Sequence, residues 1–391
     1  MDSRKASAAV RHLLAGAGIT LNGKHPWDIQ VHQDAFFQRV LAGGSLALGE
    51  SYMDRWWDCQ ALDQFFDRVL SAELDRRVHR TPRIAWTAFC CWLANRPFRH
   101  KAYDIGKRHY DIGNDLFSLM LDRRMNYSCG YWEGIDDLDA AQETKLEMIC
   151  RKLELEPGMR LLDIGCGWGA LCQYAAEFHG VEAVGITVSE EQAAEAQRRC
   201  SGLPVRILCR DYREMRETFD RVVSVGMFEH VGVQHYRTYM KSARRCLRPG
   251  GLMLLHTIGG NNSMSTCDPW ISTYIFPNSM LPSARQITAA SEGLFVLEDW
   301  HSFGPDYDRT LMAWHANFEK HKDYVLRVYG KRFYRMWRYY LLCCAGAFRA
   351  RANQLWQIVF SREGMRHGWR IRPGLPESAV QHSHRHGAAT A

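Results

Sequence analysis

Short apolar runs alternate with amphipathic stretches from about residue 138 onward. Apolar runs separated by segments of helical periodicity predict strands alternating with helices, and hence a mostly parallel, doubly wound α/β sheet. The predicted strands are Arg160–Ile164, Glu182–Thr187, Val205–Leu208, Arg221–Gly226 and Gly251–Thr257. The predicted helices are Leu138–Leu155, Ala170–His179, Ser189–Cys200 and Tyr236–Leu247. Ser189 is the expected N-cap of its helix, with Gln192 at the capping-box position.

The residues before this sheet predict a smaller α+β domain over 1–95, followed by a basic linker and a second domain over 96–391. Within the second domain, residues 261–300 interrupt the alternation with prolines, which is typical of a substrate loop. The polar tail, residues 376–391, is expected to be disordered. In the small domain, the expected strands are Ile19–Leu21 and Ile29–His32, and the expected helices are Asp34–Leu41 and Leu62–Leu70.

Composition narrows the class of protein. The chain has 391 residues, of which 46% are hydrophobic, so it can bury a sizeable core. Its 13 cysteines include no C-x-x-C pair, which favours reduced thiols in a cytosol over disulfides or a metal site. The N-terminus lacks the apolar core of a secretory signal, and no apolar run is long enough to span a bilayer. Three histidines of the tail are weak metal candidates, and no metal site is predicted: His382, His384 and His386.

The net charge of +7 is concentrated in two stretches that mix basic and aromatic residues. They are Ser71–Lys101 and Lys320–Tyr340. Such stretches attract phosphate groups, whether of anionic lipid or of nucleic acid, and composition does not separate the two. A solvated basic helix face explains each stretch equally well.

The run LLDIGCGWGA at Leu161–Ala170 carries the most specific chemistry. It predicts a strand that turns through three glycines directly into a helix, where a ligand can touch bare backbone at the helix N-terminus. The glycine spacing is G-x-G-x-G and not the G-x-G-x-x-G of dinucleotide-binding folds. An adenosyl ligand without a pyrophosphate fits this loop, which points to S-adenosylmethionine.

Other candidate residues follow the carboxyl ends of the predicted strands, where open α/β sheets bind their ligands. The second strand is followed by Thr187 and Gln192 without the acid that many methyltransferases place there, and the third ends at Asp211. The fourth and fifth strands lead to Glu229 and His256. A carboxylate and an imidazole at one mouth could form or position a general base, although a helix-terminal acid and a core histidine are the structural alternatives.

Seven motifs, in order, make the chain closely resemble the bacterial cyclopropane-fatty-acyl-phospholipid synthases, and more distantly the mycolic acid cyclopropane synthases. The resemblance runs from about Leu14 to Phe360, and the extension beyond Phe360 departs from the family pattern. The motifs are YSCGYW, LLDIGCGWG, GMFEHVG, LLHTIG, DPWISTYIFP, DYDRTLMAW and CAGAFRA.

The resemblance implies a Rossmann-like class I S-adenosylmethionine-dependent methyltransferase that forms cyclopropane rings at cis double bonds of phospholipid acyl chains. It also implies a bound bicarbonate as the base, held by the side chains of Glu229, His256 and Tyr307 and by backbone groups of Cys129 and Ile258. Cys344 is a weaker catalytic candidate, since a thiol has no evident step in this chemistry. The implied cofactor contacts are Tyr127, Ser128, Leu161, Leu162, Asp163, Ile164, Gly165, Cys166, Gly167, Trp168, Gly169, Thr187, Gln192, Asp211 and Tyr212.

The family further implies unsaturated membrane phospholipids as substrate, a homodimer, and a cytoplasmic enzyme bound peripherally to the inner membrane, with the 1–95 domain associated with lipid or with dimer formation. A nucleic-acid substrate is not expected. Two alternatives stay open at this point: methylation of a lipid alkene or heteroatom without ring closure, and a binding module that no longer turns over.

Overall fold

The computed structural model describes residues 3–74 and 113–369. The predicted domain boundary near residue 95, most of Ser71–Lys101 and the tail with its three histidines lie outside these residues. No helix in the described ranges combines the length and the apolar character needed to cross a membrane.

The chain forms two compact units. The first combines the described part of Met1–Met120 with Thr266–Ser279 and Leu311–Asn353, and the second combines Leu121–Ser265, Met280–Thr310 and the described part of Gln354–Ala391. The α-helices, numbered over the described residues, are α1 Ser3–Ala15, α2 Ala35–Met53, α3 Leu62–Ser71, α4 Asn114–Met120, α5 Leu138–Lys152, α6 Ala170–His179, α7 Glu190–Arg199, α8 Tyr236–Cys246, α9 Pro269–Tyr274, α10 Ala284–Ser291, α11 Pro305–Lys320, α12 Lys322–Val328 and α13 Gly330–Arg349. The strands are β1 Gln30–Val31, β2 Trp57–Asp58, β3 Arg160–Ile164, β4 Glu182–Thr187, β5 Val205–Cys209, β6 Phe219–Val225, β7 Leu247–Gly260, β8 Val296–Ser302 and β9 Asn353–Ser361.

The first unit is mainly helical, with β1 and β2 paired antiparallel. The predicted strand over Ile19–Leu21 is wrong, because only Leu21 forms an isolated bridge there. The predicted helix ends at Leu41, but the observed helix α2 continues to Met53. Gly44 adopts a non-helical conformation that kinks α2 without ending it.

Helix α13 packs against α3 in the first unit through a small residue. A Cβ added at Gly346 would lie 2.5 Å from the carbonyl oxygen of Asp63, so only glycine permits this close approach. The Asp63 carboxylate also accepts a hydrogen bond of 2.7 Å from Arg349 on α13. Arg335 of the second basic-aromatic stretch also forms an ion pair within this unit, at 2.7 Å from Asp58. Part of that stretch therefore stabilises the unit internally.

The second unit is built on a seven-stranded sheet of order β5-β4-β3-β6-β7-β9-β8. Strands β3 to β7 pair in parallel, whereas β8 pairs antiparallel with β9. Leu161 and Leu162 alternate along β3 into hydrophobic clusters on opposite faces of the sheet. The predicted α/β architecture and five parallel strands are confirmed, and β8 and β9 are two strands that the sequence analysis missed.

The first residues beyond β9 pack on the second unit. The indole Nε1 of Trp369 donates a hydrogen bond of 3.1 Å to the carbonyl oxygen of Lys152 at the end of α5. The amide of Met365 donates to Glu298 at 3.0 Å, and both Met365 and Trp369 cover a hydrophobic cluster of the sheet. This part of the C-terminal extension therefore contributes to the core.

Candidate active site

The glycine loop between β3 and α6 holds three residues with positive φ. Gly165, Gly167 and Gly169 have φ of 88°, 53° and 85°. A Cβ at Gly165 would lie 2.7 Å from Cβ of Met227, and one at Gly169 would lie 3.2 Å from Cβ of Ala196. A Cβ at Gly167 meets no atom within 4 Å. The first and third glycines thus serve packing, and the second leaves space open in front of the loop.

That space belongs to a cavity of about 550 Å³ at the carboxyl ends of β3 to β6. Its size suits a small molecule of nucleoside dimensions. Most of the residues expected to contact the cofactor line it: Tyr127, Ser128, Asp163, Ile164, Gly165, Cys166, Gly167, Trp168, Thr187, Gln192, Asp211 and Tyr212. Leu161 and Leu162 lie behind it in the core, and Gly169 is the N-cap of α6, so these three support the wall without lining it.

The end of β4 is organised by side-chain hydrogen bonds. The hydroxyl of Thr187 donates to Oε1 of Gln192 at 2.9 Å, and Oγ of Ser189 accepts from the Gln192 amide at 3.2 Å. Ser189 is therefore the predicted N-cap of α7. The reciprocal capping box is absent among these residues, because the Gln192 side chain is bound to Thr187 and stays at the cavity wall.

At the end of β5, Asp211 caps a short 3₁₀ turn that begins at Tyr212. The side chain of Arg213 binds both oxygens of the Asp211 carboxylate, at 2.9 and 2.7 Å, and this ion pair lowers the pKa of Asp211. Asp211 therefore remains an acceptor at neutral pH. It can take a hydrogen bond from an exocyclic amine beside the Tyr212 ring.

The cavity also has lining residues that sequence reasoning missed. Most of them lie close in sequence to the end of a predicted strand or to the YSCGYW motif, whereas Lys145 lies within the predicted helix Leu138–Leu155. They include Asn126, Lys145, Arg210, Arg213, Met227, His230 and His235.

Glu229 lies in the 3₁₀ turn after β6 and is buried. Its Oε1 accepts a hydrogen bond of 2.7 Å from the amide of Ile258 on β7, which brings two of the predicted site residues together. Its Oε2 has no hydrogen-bond partner within residues 3–74 and 113–369. Burial raises the pKa of Glu229 to about 7, against the lowering effect of the Ile258 amide. The carboxyl group can therefore hold or release a proton near neutral pH.

His256 is buried on β7, where it pairs with Val225 of β6. Burial holds the pKa of His256 well below its ordinary value, so the ring is neutral. Nε2 of Gln357 lies 3.3 Å from Nδ1 of His256, and Nε2 of His256 has no hydrogen-bond partner among the residues that the structure describes. With the Gln357 amide donating to Nδ1, the ring proton belongs on Nε2, where those residues supply no acceptor.

Tyr307 is buried in the first turn of α11. It follows Phe303, whose ring centroid lies 5.8 Å from that of His256 in an edge-to-face contact. Cys129 is also buried, with Sγ 3.6 Å from the hydroxyl of Thr310, one turn beyond Tyr307 on α11. Burial raises the pKa of the Cys129 thiol well above its ordinary value, which favours the protonated thiol over the nucleophilic thiolate. The backbone role of Cys129 stays a prediction.

Cys344 belongs to the first unit, where it lies on α13 beside Cys343. It is not among the described residues that line the cavity. The lining does not decide its role, because Glu229, His256 and Tyr307 are absent from it as well, and the role of Cys344 stays a prediction.

Comparison with known proteins connects this geometry to a family. A family model for mycolic acid cyclopropane synthetase matches residues 98–358. The chain is 54% identical over 363 residues to the cyclopropane-fatty-acyl-phospholipid synthase of Escherichia coli (strain K12), covering 92% of this chain and 94% of that protein. The chain belongs to this family. The predictions of the family and of an S-adenosylmethionine-dependent enzyme are confirmed.

Solved structures support the same assignment. The cyclopropane synthase MmaA2 from Mycobacterium tuberculosis superposes with a TM-score of 0.60 at 34% identity, over 64% of this chain and 95% of that one. The family's CmaA1, solved with SAH and CTAB, has the same TM-score of 0.60 and the same 34% identity. Coclaurine N-methyltransferase, at 19% identity and a TM-score of 0.62, shares the fold alone.

Proposed function

We propose that the protein forms cyclopropane rings at cis double bonds in the acyl chains of membrane phospholipids, with S-adenosylmethionine as methyl donor. The support is the match to the Escherichia coli synthase, which extends over 92% of this chain. The match to mycolic acid synthase MmaA2 covers 62% of this chain but 91% of that protein. A large part of this chain thus has a counterpart in the Escherichia coli phospholipid enzyme and none in MmaA2, which favours a phospholipid substrate.

The cavity residues fit the proposed methyl donor. Gly167 leaves open space at the loop, Asp211 is an ionised acceptor for an amine, and Thr187 and Gln192 supply polar atoms at the end of β4. When bound, S-adenosylmethionine supplies a methyl group on a positively charged sulfur. An alkene can attack such a carbon without prior deprotonation, so a base is required only after methyl transfer.

The buried polar atoms beyond Gly226 fit the proposed bicarbonate. Oε2 of Glu229 and Nε2 of His256 are both buried, and no described residue forms a hydrogen bond with either atom. A neutral His256 with its proton on Nε2 can donate to an anion, and Glu229, whose pKa is about 7, can do so when protonated. An ionised Glu229 and a bicarbonate anion would repel each other in a buried site. A proton shared between the two removes that repulsion.

Exclusion of water is the second contribution of these residues. A cation on the acyl chain reacts with water faster than a ring can close, so the site must be dry. Glu229, His256 and Tyr307 are all buried, and the Phe303 ring covers His256. Aromatic faces also stabilise a neighbouring cation. We include a peripheral membrane position, cytoplasmic at the inner membrane, and a homodimer in the proposal.

The match to the Escherichia coli synthase over 92% of this chain is the observation that carries the proposal. Its test is incubation with vesicles of unsaturated phospholipid and methyl-labelled S-adenosylmethionine, followed by mass analysis of the acyl chains. We expect the mass of one CH₂ group to be added and the double bond to be lost. Added mass with retained unsaturation would instead indicate methylation without ring closure, the activity class suggested by a probable fatty acid methyltransferase of Pseudomonas putida at 38% identity.

A further inference from the structure

Lys145 on α5 is a fully buried lysine in the wall of the cavity, at 1% exposure. Its Nζ donates hydrogen bonds to Oδ1 of Asn126 at 2.9 Å and to Oγ of Ser128 at 3.0 Å. Both acceptors are neutral, and both belong to the segment that forms this wall. Neither the function proposed above nor the family motifs assign a role to Lys145.

The charge of Lys145 is not balanced at close range. In the described ranges no carboxylate forms an ion pair with its ammonium, and Asp122 and Asp163 attract it only from a greater distance. An ammonium carries three N–H donors, of which two are used here. Burial lowers the pKa of Lys145 to about 8, which reflects the cost of an ammonium held away from water.

Lys152, on the same helix, is a buried lysine whose charge is neutralised by an ion pair within the protein. It lies two turns further along α5 and is also 1% exposed, but its Nζ is 3.1 Å from Oδ2 of Asp299. It is not among the residues lining the cavity. The contrast indicates that the countercharge for Lys145 comes from the occupant of the cavity.

Holding the wall in place does not explain the charge. The side chain of Gln142, one turn before Lys145 on α5, already donates to the carbonyl oxygen of Ser128 at 2.7 Å. A neutral donor at position 145 would complete that link at lower desolvation cost. A buried ammonium facing a cavity is instead the group that recognises a carboxylate.

Asp163 lines the same cavity with a carboxyl group whose pKa is raised by burial to about 7. It is buried, and its Oδ1 has no hydrogen-bond partner in the described part of the chain. We propose that Lys145 binds the carboxylate of the amino-acid end of S-adenosylmethionine, while Asp163 faces the zwitterion's ammonium. This inference rests on the proposed function for the identity of the ligand, and it adds Lys145 as a binding residue.

The test compares a ligand that lacks the carboxylate with one that has it, and a protein that lacks the Lys145 ammonium with the wild-type protein. Calorimetry compares S-adenosylhomocysteine with S-adenosyl-3-thiopropylamine, which lacks only the carboxylate, on the wild-type protein and on Lys145→Met and Lys152→Met. We expect Lys145→Met to weaken S-adenosylhomocysteine binding about 10- to 100-fold and to leave the decarboxylated ligand within about twofold. Lys152→Met should change neither affinity beyond about twofold, although both variants lose a buried ammonium.

Equal weakening of both ligands by Lys145→Met, or no weakening, would overturn the assignment, because a merely structural role affects both ligands alike. If Lys145→Met fails to fold, the wild-type protein supplies the readout. The groups facing Lys145 are Asp122, Asp163 and the Cys129 thiol. The preference for the ligand with a carboxylate should fall between about pH 7 and about pH 9.5 as the ammonium deprotonates, and a constant preference would overturn the assignment.

The outcome is separable from that of the proposed function. If the wild-type protein binds S-adenosylhomocysteine through Lys145 but makes no cyclopropane product, only the proposed reaction is contradicted. Cyclopropane formation with an unchanged ligand preference in Lys145→Met would contradict only the role of Lys145.

Discussion

Nε2 of Gln357 on β9 lies 3.3 Å from Nδ1 of His256 on the neighbouring strand β7. Both side chains are fully buried, so water cannot replace either partner. With the Gln357 amide as donor, the contact places the ring proton of His256 on Nε2, where the proposed anion would accept it.

Replacing Gln357 should therefore impair chemistry without impairing cofactor binding. In Gln357→Leu the imidazole is free to exchange tautomers, and we expect kcat to fall about tenfold, the equivalent of one buried hydrogen bond. The dissociation constant for S-adenosylhomocysteine should stay within about twofold. Gln354→Leu is the control, since Gln354 is buried on the same strand and donates to Asn261 at 3.1 Å. A parallel loss of kcat in both variants would contradict a role in orienting His256.

Glu229→Gln should abolish most turnover while leaving S-adenosylhomocysteine binding intact. The amide keeps an oxygen for the Ile258 amide proton, which Glu229 now accepts at 2.7 Å, but it can no longer share a proton with an anion. We expect kcat to fall at least about 100-fold. Calorimetry with S-adenosylhomocysteine measures binding in the same sample, and binding lost in step with turnover would place Glu229 in the cofactor site instead.

The free energy of unfolding should depend on pH through the same carboxyl group. The pKa of Glu229 is about 7 in the folded protein and near 4.5 in an unfolded chain, so the folded state holds the proton more tightly. Stability from this group is greatest below pH 4.5 and is lost as the pH rises through 7, by roughly 3 kcal/mol in total. Denaturation of the ligand-free protein at several pH values should show that Glu229→Gln lacks this loss, and identical pH profiles would contradict the raised pKa.

Gly167 and Gly202 offer a matched pair of alanine substitutions. Both have positive φ, at 53° and 84°, and an added Cβ meets nothing within 4 Å at either position. Each change should cost about 1 kcal/mol of stability for a left-handed alanine. Only Gly167 lines the cavity, so only Gly167→Ala should weaken S-adenosylhomocysteine binding, by at least about tenfold. Equal affinities in the two variants would mean that the ligand does not approach the loop.

Bicarbonate removal tests the proposed anion. At fixed pH, stripping carbon dioxide from buffer and headspace should lower turnover several-fold in the wild-type protein, and added bicarbonate should restore it. Sodium chloride added at equal ionic strength is the control and should restore nothing. A rate unaffected by stripping would remove bicarbonate from the mechanism while leaving the methyl donor in place.

The parallel part of the sheet was predictable because each strand has a local signal. The apolar runs that give β3 to β7 are short and bounded by turns, and β3 is followed at once by its glycine loop. Strands β8 and β9 were missed because their pairing is antiparallel and joins segments about fifty residues apart, Val296–Ser302 and Asn353–Ser361. The mixed sequence VLEDWHS carries little apolar periodicity, so its strand character depends on its partner.

The site was predictable where residues follow strand ends and was not where they depend on packing. Glu229 follows β6 and His256 lies on β7, which is the neighbour of β6 in the sheet. The parallel topology alone therefore brings both residues to the same edge of the sheet. Lys145 and Gln357 lie within elements whose exposed or buried faces the sequence does not identify. A lysine on a charged amphipathic helix is ordinarily solvated, and only the packing of α5 shows that this one is buried.

Strand β9 separates β7 from β8, yet it comes last along the chain among the strands of the sheet. During synthesis, β8 therefore has no strand to pair with until Asn353–Ser361 has been translated. Gln357 arrives with that same segment, so a nascent chain that already contains both Glu229 and His256 still lacks the partner that orients the imidazole. A chain that ends before this segment lacks the contact that orients His256, so we expect it to turn over more slowly for the same reason as Gln357→Leu.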